Sequence, residues 1–505
     1  MMKAKPMQKV KTFLEKTPNA LLCVLGAVVF LAGFYFLTSR TPLNKIWLPT
    51  TMNNDEVLYN RQVVSVITHG GPQGYFGYQE GTADIGRYGT WGPLLIWAYA
   101  LPGFLFGSSV NVVLWCNLLF ITLGIAAFAR SAKLNWWQCI VLCAGLFAIA
   151  MPIRSCISGA SEAMHYMLAF LIVGSAAALH RTDKTGWLAV CAAACAVETI
   201  FRPYALLFWV FPLTAVWQNK RRRSACFITA AAGFGVSLFA MAKLAAPYFS
   251  DGGMDFDGVQ LLLQGHPIAA IRYEWIRATA LLGNAWLYDI WPTIKGGKTY
   301  IGGGCVIFLV VVLAAVGCLL WDKRKGRPVV LKACALFCSA AIALVLLTMY
   351  NIDPRHMMLL AILLLGAIVV EDAAPAVVWL TILVVLLLPM NFERGSQPEM
   401  NEVMAAQMTV VEDALAADVQ AAGADPWDNT LAYTYDDGVF HGYLYAVPDG
   451  MGIEFDKNSY LWDAENPIYS RYVMCGHGTR VEERLLAENW QELVSTEDLV
   501  VYKRS

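Results

Sequence analysis

Long apolar segments recur through the first 390 residues, and they restrict this chain more than any other feature of its sequence. Several approach the length of about 20 residues that a helix needs to cross a bilayer. Hydrophobic residues make up 57% of the chain and charged residues only 15%, well below the share of about 25% in soluble domains. The sequence therefore predicts an all-α polytopic membrane bundle of about eleven transmembrane helices, at residues 20–37, 110–129, 136–152, 163–179, 187–201, 205–217, 225–245, 302–321, 329–350, 357–370 and 377–390.

Basic residues set the expected orientation of these helices. Lysines precede the first apolar segment, and strong basic clusters follow at residues 220–223 and 323–327. All of them fall on the cytoplasmic side if the first segment stays uncleaved and residues 91–106, interrupted by prolines, lie at the interface without crossing. We therefore predict a multi-pass protein of the cell membrane with a cytoplasmic N-terminus. The first external loop (41–109), a later one (246–301) and the C-terminal segment would then lie outside.

The first external loop is polar and rich in glycine. It contains the adjacent carboxylates Asp55 and Glu56, followed by Tyr59 and Arg87. A long polar insertion between apolar helices is costly unless it lines water or a site. We therefore expect a wet loop here that forms the chemical centre of the protein.

Further ionisable residues collect at the outer ends of the predicted helices. Arg154 and Glu162 flank one external turn, Glu198 and Arg202 are four residues apart at the end of a helix, and Arg355 begins a late one. Charges at this depth usually face a bundle interior or a water-filled cavity, so the set predicts one polar chamber at the outer leaflet. Taken alone, Glu198 and Arg202 are equally explained as a local pair on one helical face.

The later external loop predicts a helix after Pro267 that lies on the membrane surface with its tryptophans at headgroup level. Asp251, Asp255 and Asp257 lack the pattern of a calcium loop and predict a solvated turn. Lys295 and Lys298 lie among glycines, where they would bind a phosphate or anchor to lipid headgroups.

After residue 390 the composition becomes charged and mixed. Residues 391–505 predict a small extracytoplasmic α/β domain, separate from a membrane domain at 1–390, with helices at 398–422 and 481–493 and strands at 430–435, 472–474 and 499–502. Its Asp, His and Cys residues match no zinc spacing, so we expect no metal from them. A net charge of −1 gives no reason to expect nucleic acid, and most of the cysteines fall in apolar segments, where packing is the expected role.

Several short motifs resemble the type C glycosyltransferase superfamily, especially the bacterial relatives of protein O-mannosyltransferases and of the lipid A aminoarabinose transferase. The resemblance lies in an Asp-Glu pair shortly after the first span and in an interfacial Gly-Pro-Leu-Leu stretch at 92–95. It continues in Ser161-Glu162-Ala163, in Arg202-Pro203-Tyr204 and in the Asp-Pro-Arg-His-Met turn at 353–357. This chain departs from the pattern at Trp91-Gly92, where relatives often have a basic residue before Pro-Pro-Leu, and at His356, where Tyr is common.

The resemblance implies transfer of a sugar from a polyprenyl-phosphate carrier to an acceptor hydroxyl at the outer membrane face, with inversion and without a cofactor. A divalent metal is neither indicated nor excluded. The acceptor would be a glycan, a lipid or a protein. The implied roles are Asp55 as general base, Glu56 and Glu162 as acceptor-orienting carboxylates, and Arg355 and Arg202 as ligands of the donor phosphate. The further candidates are Lys295 and Lys298 for the phosphate, with Arg87, Arg154, His356 and Tyr59 nearby.

Two other classes of protein remain open from the sequence. A lipid-linked-sugar transporter or flippase would also be polytopic, but it should place its charges near the bilayer midplane in paired halves. A non-catalytic membrane protein of polysaccharide assembly would share the fold of the enzyme. The grouping of acids and bases at one face favours the enzyme.

Overall fold

The computed structural model describes residues 18–39, 42–46, 54–71, 76–78, 80, 88, 92–147, 150–218, 223–245, 255–295, 303–370, 402–423, 429–434, 439, 441–456 and 459–504. The chain forms two compact units. The first contains Met1–Lys45, Asn117–Cys156 and Ser161–Glu393, and the second contains Ile46–Cys116, Ile157–Ala160 and Arg394–Ser505.

Most of the described chain is helical. In order, the helices are α1 (Asn19–Ser39), α2 (Asn54–His69), α3 (Gly92–Gly103), α4 (Val112–Ala132), α5 (Trp136–Phe147), α6 (Ala150–Cys156), α7 (Glu162–Thr182), α8 (Thr185–Phe201), α9 (Val210–Gln218), α10 (Arg223–Ala240), α11 (Asp257–Leu263), α12 (Pro267–Ala285), α13 (Trp291–Ile294), α14 (Gly304–Arg324), α15 (Val330–Met349), α16 (Pro354–Val370), α17 (Glu402–Ala421) and α18 (Arg480–Ala487).

Within the described residues, five helical segments are long and apolar enough to cross a membrane: Val112–Ala132, Glu162–Thr182, Arg223–Leu244, Gly304–Arg324 and Val330–Met349. Shorter apolar helices occupy five more of the predicted spans, namely Asn19–Gly33, Trp136–Phe147, Thr185–Phe201, Pro203–Trp217 and Pro354–Val370. The last predicted span, at 377–390, lies outside the described residues. These findings establish a mostly helical, apolar bundle at the predicted positions.

Helix α16 forms the centre of the first unit. It packs against α7, α14 and α15, and its residues from Met357 to Val369 are all buried. Gly304 allows the closest approach to it, because a Cβ atom at this position would lie 2.4 Å from the carbonyl oxygen of Pro354. Helix α10 is the opposite case, since only 17% of its span is buried. An apolar helix with this exposure fits a lipid-facing position.

Residues 255–295 contain α11, α12 and α13, and α12 is the helix that the sequence predicts after Pro267. Its exposed side includes Ile268, Ile271 and Trp275, as expected for a helix that lies along a membrane surface. The segment is fixed to the end of α15, because Arg277 Nη2 donates a hydrogen bond to the carbonyl oxygen of Tyr350 at 2.7 Å.

The second unit contains, in its described part, a six-stranded mixed sheet in the order β1-β3-β2-β4-β6-β5. The strands are β1 (Phe76–Tyr78), β2 (Thr430–Thr434), β3 (Gly452–Asp456), β4 (Tyr472–Cys475), β5 (Gln491–Ser495) and β6 (Val500–Lys503). β1, β3, β2 and β4 are parallel neighbours, whereas β6 is antiparallel to both β4 and β5. The predicted α/β character of the C-terminal segment is present.

The second unit differs from the sequence prediction in three ways. Residues 46–116 of the predicted membrane domain belong to this unit, because β1 pairs with β3 of the C-terminal segment. The wet loop around Asp55 is a helix, α2, whose buried Val57 and Leu58 pack into the core of the sheet domain. The helix predicted at 481–493 ends at Ala487, since residues 491–495 pair with β6 as a strand.

Candidate functional site in the first unit

Glu162 is the first residue of α7 and the centre of a buried ionic cluster. A carboxylate is favoured at this position because the N-terminus of a helix is the positive end of its dipole. The side chain is only 3% exposed. A buried carboxylate requires positive partners, and two arginines from distant parts of the sequence provide them.

Arg202 is the first of these partners. It lies in extended backbone (φ −134°) between α8 and a 3₁₀-helix at Pro203–Trp209. Pro203 has no N–H group and disfavours helical backbone at the residue before it, so α8 ends here and the guanidinium turns inward. Arg202 Nη2 lies 3.3 Å from Glu162 Oε1. The two side chains, which the sequence predicted in one polar chamber, are therefore in contact.

Arg355 is the second partner and begins α16 together with Pro354. Its Nη1 lies 3.8 Å from Glu162 Oε1. Its Nε and Nη2 donate to Asp353 Oδ2 at 3.2 and 3.1 Å, and its backbone N–H donates to Asp353 Oδ1 at 2.8 Å. Burial alone would raise the pKa of Asp353, but the charge and hydrogen bonds of Arg355 outweigh it and lower that pKa to about 2. Asp353 therefore stays ionised and holds Arg355 in place.

His356 adds a neutral hydrogen-bonding group. Arg202 Nη1 lies 2.9 Å from His356 Nδ1, and Tyr204 Oη lies 2.7 Å from the same nitrogen. Arginine can only donate, so Nδ1 is the acceptor and the proton of the ring is on Nε2. The rings of Tyr204 and Tyr350 pack edge-on against the imidazole. The imidazole thus presents its Nε2–H group as a hydrogen-bond donor.

A second pair lies behind the cluster. His165 Nδ1 is 2.9 Å from Glu198 Oε2, and both side chains are nearly fully buried. The alternative in which Glu198 pairs with the side chain of Arg202 is therefore wrong. Glu198 meets Arg202 only through its backbone carbonyl oxygen, at 2.8 Å from the Arg202 amide nitrogen. His165 was missed at the sequence level, although its position three residues after Glu162 places both on one face of α7.

The cluster retains unused hydrogen-bonding capacity. Glu162 Oε2 is buried and has no hydrogen-bond partner among the described residues. Arg202 Nη2 and Arg355 Nη1 both lie near the other oxygen of this carboxylate, at 3.3 and 3.8 Å. Arg355 and His356 are also partly exposed. Two guanidinium groups and one imidazole N–H form a combination suited to binding a phosphate.

Asp55 and Glu56 lie in the second unit, in the first turn of α2. Asp55 is partly exposed, whereas Glu56 is 1% exposed. Gly159 packs directly on this turn, because a Cβ atom there would lie 2.5 Å from the carbonyl oxygen of Glu56. Only glycine permits this contact, so the turn before Glu162 is matched to the backbone of the acid pair.

The remaining predicted residues lie on other elements or outside the described residues. Tyr59 is buried on α2, Arg154 is half-buried on α6, and Lys295 Nζ lies over the ring of Trp291 at 4.6 Å. Arg87 and Lys298 lie outside the described residues. Within the described part of the chain, no three His, Cys, Asp or Glu side chains are arranged to hold a metal ion.

Comparison with known proteins gives matches only at the level of structure. No protein-family model matches the sequence, and no curated protein matches it. The oligosaccharyltransferase of Archaeoglobus fulgidus in complex with zinc and sulfate aligns with a TM-score of 0.54 and 11% identity over 91% of this chain and 68% of its own. The same protein tethered to an acceptor peptide aligns with a TM-score of 0.52 and 12% identity, over 98% and 75%.

ArnT from Cupriavidus metallidurans bound to undecaprenyl phosphate aligns over 95% of this chain and 97% of its own, with 14% identity and a TM-score of 0.43. Both neighbours are type C glycosyltransferases. At 11% identity the similarity to the oligosaccharyltransferase shows a shared fold, and it extends over most of both chains. The chain therefore has the type C glycosyltransferase fold that its motifs predicted.

Proposed function

We propose that this protein is an integral membrane glycosyltransferase. It transfers a sugar from a polyprenyl-phosphate carrier to an acceptor hydroxyl at the outer face of the membrane, with inversion of the anomeric centre. The observation that carries the proposal is the buried Glu162, Arg202 and Arg355 cluster in a chain of this fold. The fold shared with the oligosaccharyltransferase supports glycosyl transfer as the class of reaction.

The cluster fits the leaving group of this reaction. As the bond between the sugar and the phosphate oxygen breaks, negative charge grows on the polyprenyl phosphate. Arg355 and Arg202 stabilise that charge because guanidinium groups match phosphate oxygens in geometry, and His356 Nε2–H adds a neutral donor. Glu162 and Asp353 compensate the two positive charges, which a buried site requires.

Asp55 acts as the general base in this proposal. The acceptor hydroxyl loses its proton to the carboxylate while the oxygen forms a bond to the anomeric carbon and the phosphate leaves from the opposite side, which gives inversion. A base contributes about 10²-fold to 10⁴-fold to such a step. Glu56 and Glu162 orient the acceptor. Lys295 and Lys298 are additional ligands for the donor phosphate, and Arg87, Arg154 and Tyr59 complete the proposed surroundings.

The proposed arrangement in the membrane follows the distribution of basic residues. We propose a plasma-membrane protein of about eleven spans, including one at 377–390. Its N-terminus is cytoplasmic and its C-terminal domain is external, which accounts for the distribution of basic residues. The polyprenyl tail would lie between apolar helices and open to the bilayer. This location explains why the enzyme is embedded in lipid.

A transporter or flippase for lipid-linked sugars is a weaker proposal. Its ionisable groups should lie near the midplane of the bilayer. In this chain Glu162 begins α7, Arg202 directly follows α8, and Arg355 is the second residue of α16. Charges at helix ends fit a site at the membrane surface. A non-catalytic assembly protein has no need for such a cluster.

The test uses the purified full chain in liposomes with radiolabelled polyprenyl-phosphate mannose, glucose or galactose and solvent-extracted membrane fractions as acceptors. We expect wild-type protein to label one fraction and Asp55→Asn to reduce labelling by about 10³-fold. Asp55→Glu, which keeps the carboxylate, should retain more activity. Full transfer by Asp55→Asn would exclude Asp55 as the base. Labelled donor that crosses the bilayer without being consumed would favour the flippase.

A further inference from the structure

The helix that contains the acid pair is fixed to the C-terminal domain by an unusual set of contacts. Arg61 of α2 donates hydrogen bonds to the backbone carbonyl oxygens of Val447, Pro448 and Met451 at 2.6, 2.9 and 3.0 Å. His69 and Thr68 bond to Asp449 at 2.9 and 3.1 Å. The segment around residues 441–451 therefore lies directly beside α2 in one folded unit.

Tyr445 belongs to this segment and packs with Val57 and Leu58 in one hydrophobic cluster. Its side chain is 9% exposed. The hydroxyl group is buried and has no hydrogen-bond partner among the described residues. Burial and the negative charge of Glu56 raise the pKa of Tyr445 well above its usual value, so the hydroxyl keeps its proton and can donate it. Glu56 is thus an electrostatic neighbour of this group.

The other buried tyrosines of the sheet domain behave differently. The hydroxyl of Tyr433 donates to the carbonyl oxygen of Val439, and that of Tyr443 to Asp498. Those of Tyr472 and Tyr502 donate to Asp418 and Glu482 at 2.9 and 3.1 Å. A buried hydroxyl without a partner costs about 1 to 3 kcal/mol, and phenylalanine in its place would avoid that cost. A hydroxyl retained at such a cost, beside the acid pair, indicates a partner that arrives with a ligand.

We infer that Tyr445 binds the acceptor: its hydroxyl donates a hydrogen bond to a polar group of the acceptor that lies against Glu56. This inference rests on the proposed function and extends it. It makes the C-terminal domain part of the acceptor site, and it makes Tyr445 a residue that selects a hydroxyl-rich acceptor over water.

The experiment compares Tyr445→Phe with Tyr443→Phe, its matched control two residues away. Purified proteins in liposomes are given radiolabelled polyprenyl-phosphate hexose and increasing amounts of the membrane fraction that takes up label. For Tyr445→Phe we expect the apparent KM for that fraction to rise about 10-fold and the donor KM to stay within about 2-fold. Hydrolysis of the donor by water should continue. Tyr443→Phe should leave these three quantities unchanged.

Thermal unfolding supplies a readout that needs no activity. Tyr445→Phe should be at least as stable as wild type, because it removes a buried group that has no partner. Tyr443→Phe should be less stable, because Asp498 loses one of its two side-chain donors and keeps only Gln407 Nε2. A marked loss of stability in Tyr445→Phe, or an unchanged acceptor KM in a wild-type protein that transfers sugar, would overturn the inference. Absence of transfer by wild type would instead count against the proposed function.

A double substitution tests the proposed contact beside Glu56. In the Glu56→Gln background, Tyr445→Phe should raise the acceptor KM by about 2-fold or less, since the two groups hold one ligand. Fully additive effects would show that they act on separate parts of the acceptor and would overturn the placement of the ligand.

Discussion

Helix α14 has a buried ionic cluster at each end, and the two clusters are built differently. At its C-terminal end, Asp322 pairs with Lys332 Nζ at 2.9 Å, and their side chains are 3% and 0% exposed. At its N-terminal end, Gly304 contacts Pro354, the residue before Arg355. Eighteen residues separate Gly304 from Asp322, or about 27 Å along the helix. The Asp322 cluster is closed to water, whereas the Arg355 cluster is partly open.

The difference lies in how each charge is satisfied. Asp322 and Lys332 neutralise each other in a pair that water does not reach, and Arg327 adds a contact of 3.5 Å from the exposed side. At the other end, two arginines share one oxygen of Glu162 while the other oxygen has no partner in the described chain. A closed pair joins two helices. An open cluster with partly exposed cations can bind an anion. Substitutions at the two ends should therefore have opposite consequences.

The largest effect on stability is expected at the closed end. Lys332→Met leaves Asp322 buried without its partner, which should cost about 3 to 5 kcal/mol. The apolar double variant Asp322→Leu with Lys332→Met should recover most of that loss. Thermal unfolding in detergent measures both. Sugar transfer per folded molecule should stay at the wild-type level, and a selective loss of transfer would break the contrast between the two ends.

At the open end the effect should fall on transfer. Arg355→Ala removes a cation from the leaving phosphate, and we expect the rate of transfer to drop by about 10²-fold with a higher KM for the donor. Arg355→Lys should recover only part, because a lysine lacks the planar fork of arginine. The unfolding temperature should change less than in Lys332→Met. If only the acceptor KM changed, the assignment of Arg355 to the phosphate would be wrong.

The role of His356 can be resolved with two amides. Asparagine can replace the acceptor Nδ1 but has no donor at the Nε2 position, whereas glutamine places an N–H donor there. We expect His356→Asn to lose about 10-fold in transfer and His356→Gln about 3-fold, as befits one neutral hydrogen bond. A larger loss in His356→Gln than in His356→Asn would mean that the histidine acts only through its acceptor Nδ1, on Arg202 and Tyr204.

The smallest effect on stability is expected at an ion pair that is partly exposed to water. In the sheet domain Asp418 bonds to Lys503, whose side chain is 29% exposed. Lys503→Met should cost only about 0.5 kcal/mol at neutral pH. Partial burial raises the pKa of Asp418, but the hydrogen bonds of Lys503 and Tyr472 and nearby charges lower it overall. Its contribution is therefore present above about pH 4 and is lost as the pH falls further. Urea unfolding of the full chain against pH measures both, and a cost as large as that of Lys332→Met would contradict the ranking.

Much of the fold could be predicted because it depends on local patterns. Apolar length located the helices of the first unit to within a few residues, and composition marked the sheet domain. The errors have physical causes. Helix α2 was missed because its glycine-rich surroundings and its charges suggested a loop, although Asp55 and Glu56 in a first turn are typical of a helix start. Strand β3 was missed because the acidic residues Glu454 and Asp456 suggested an exposed segment. In the structure both are buried in the strand.

The sequence predicted that Glu162, Arg202 and Arg355 belong to one polar chamber, but it did not predict which groups pair. These three residues were expected to meet because each lies at the predicted outer end of a helix, Glu162 and Arg355 at helix starts and Arg202 just after a helix end. The contacts of Glu198 with His165 and of Arg202 with His356 could not be predicted. They depend on how α7, α8 and α16 are rotated about their axes when they pack. Tyr445 could not be predicted from the sequence, because nothing in its local sequence distinguishes it from Tyr443.

By itself the sequence determined that this chain is a membrane helix bundle with an α/β segment at its end, and it supplied the acids and bases at the helix ends. Hydrophobic length and charge act locally, so these features can be read along the chain. Only the tertiary structure decided which groups are satisfied and which lack a partner among the described residues; the second oxygen of Glu162 and the hydroxyl of Tyr445 are two of the latter. Hydrogen bonds between distant residues depend on positions within a fraction of an ångström, and packing alone fixes those positions.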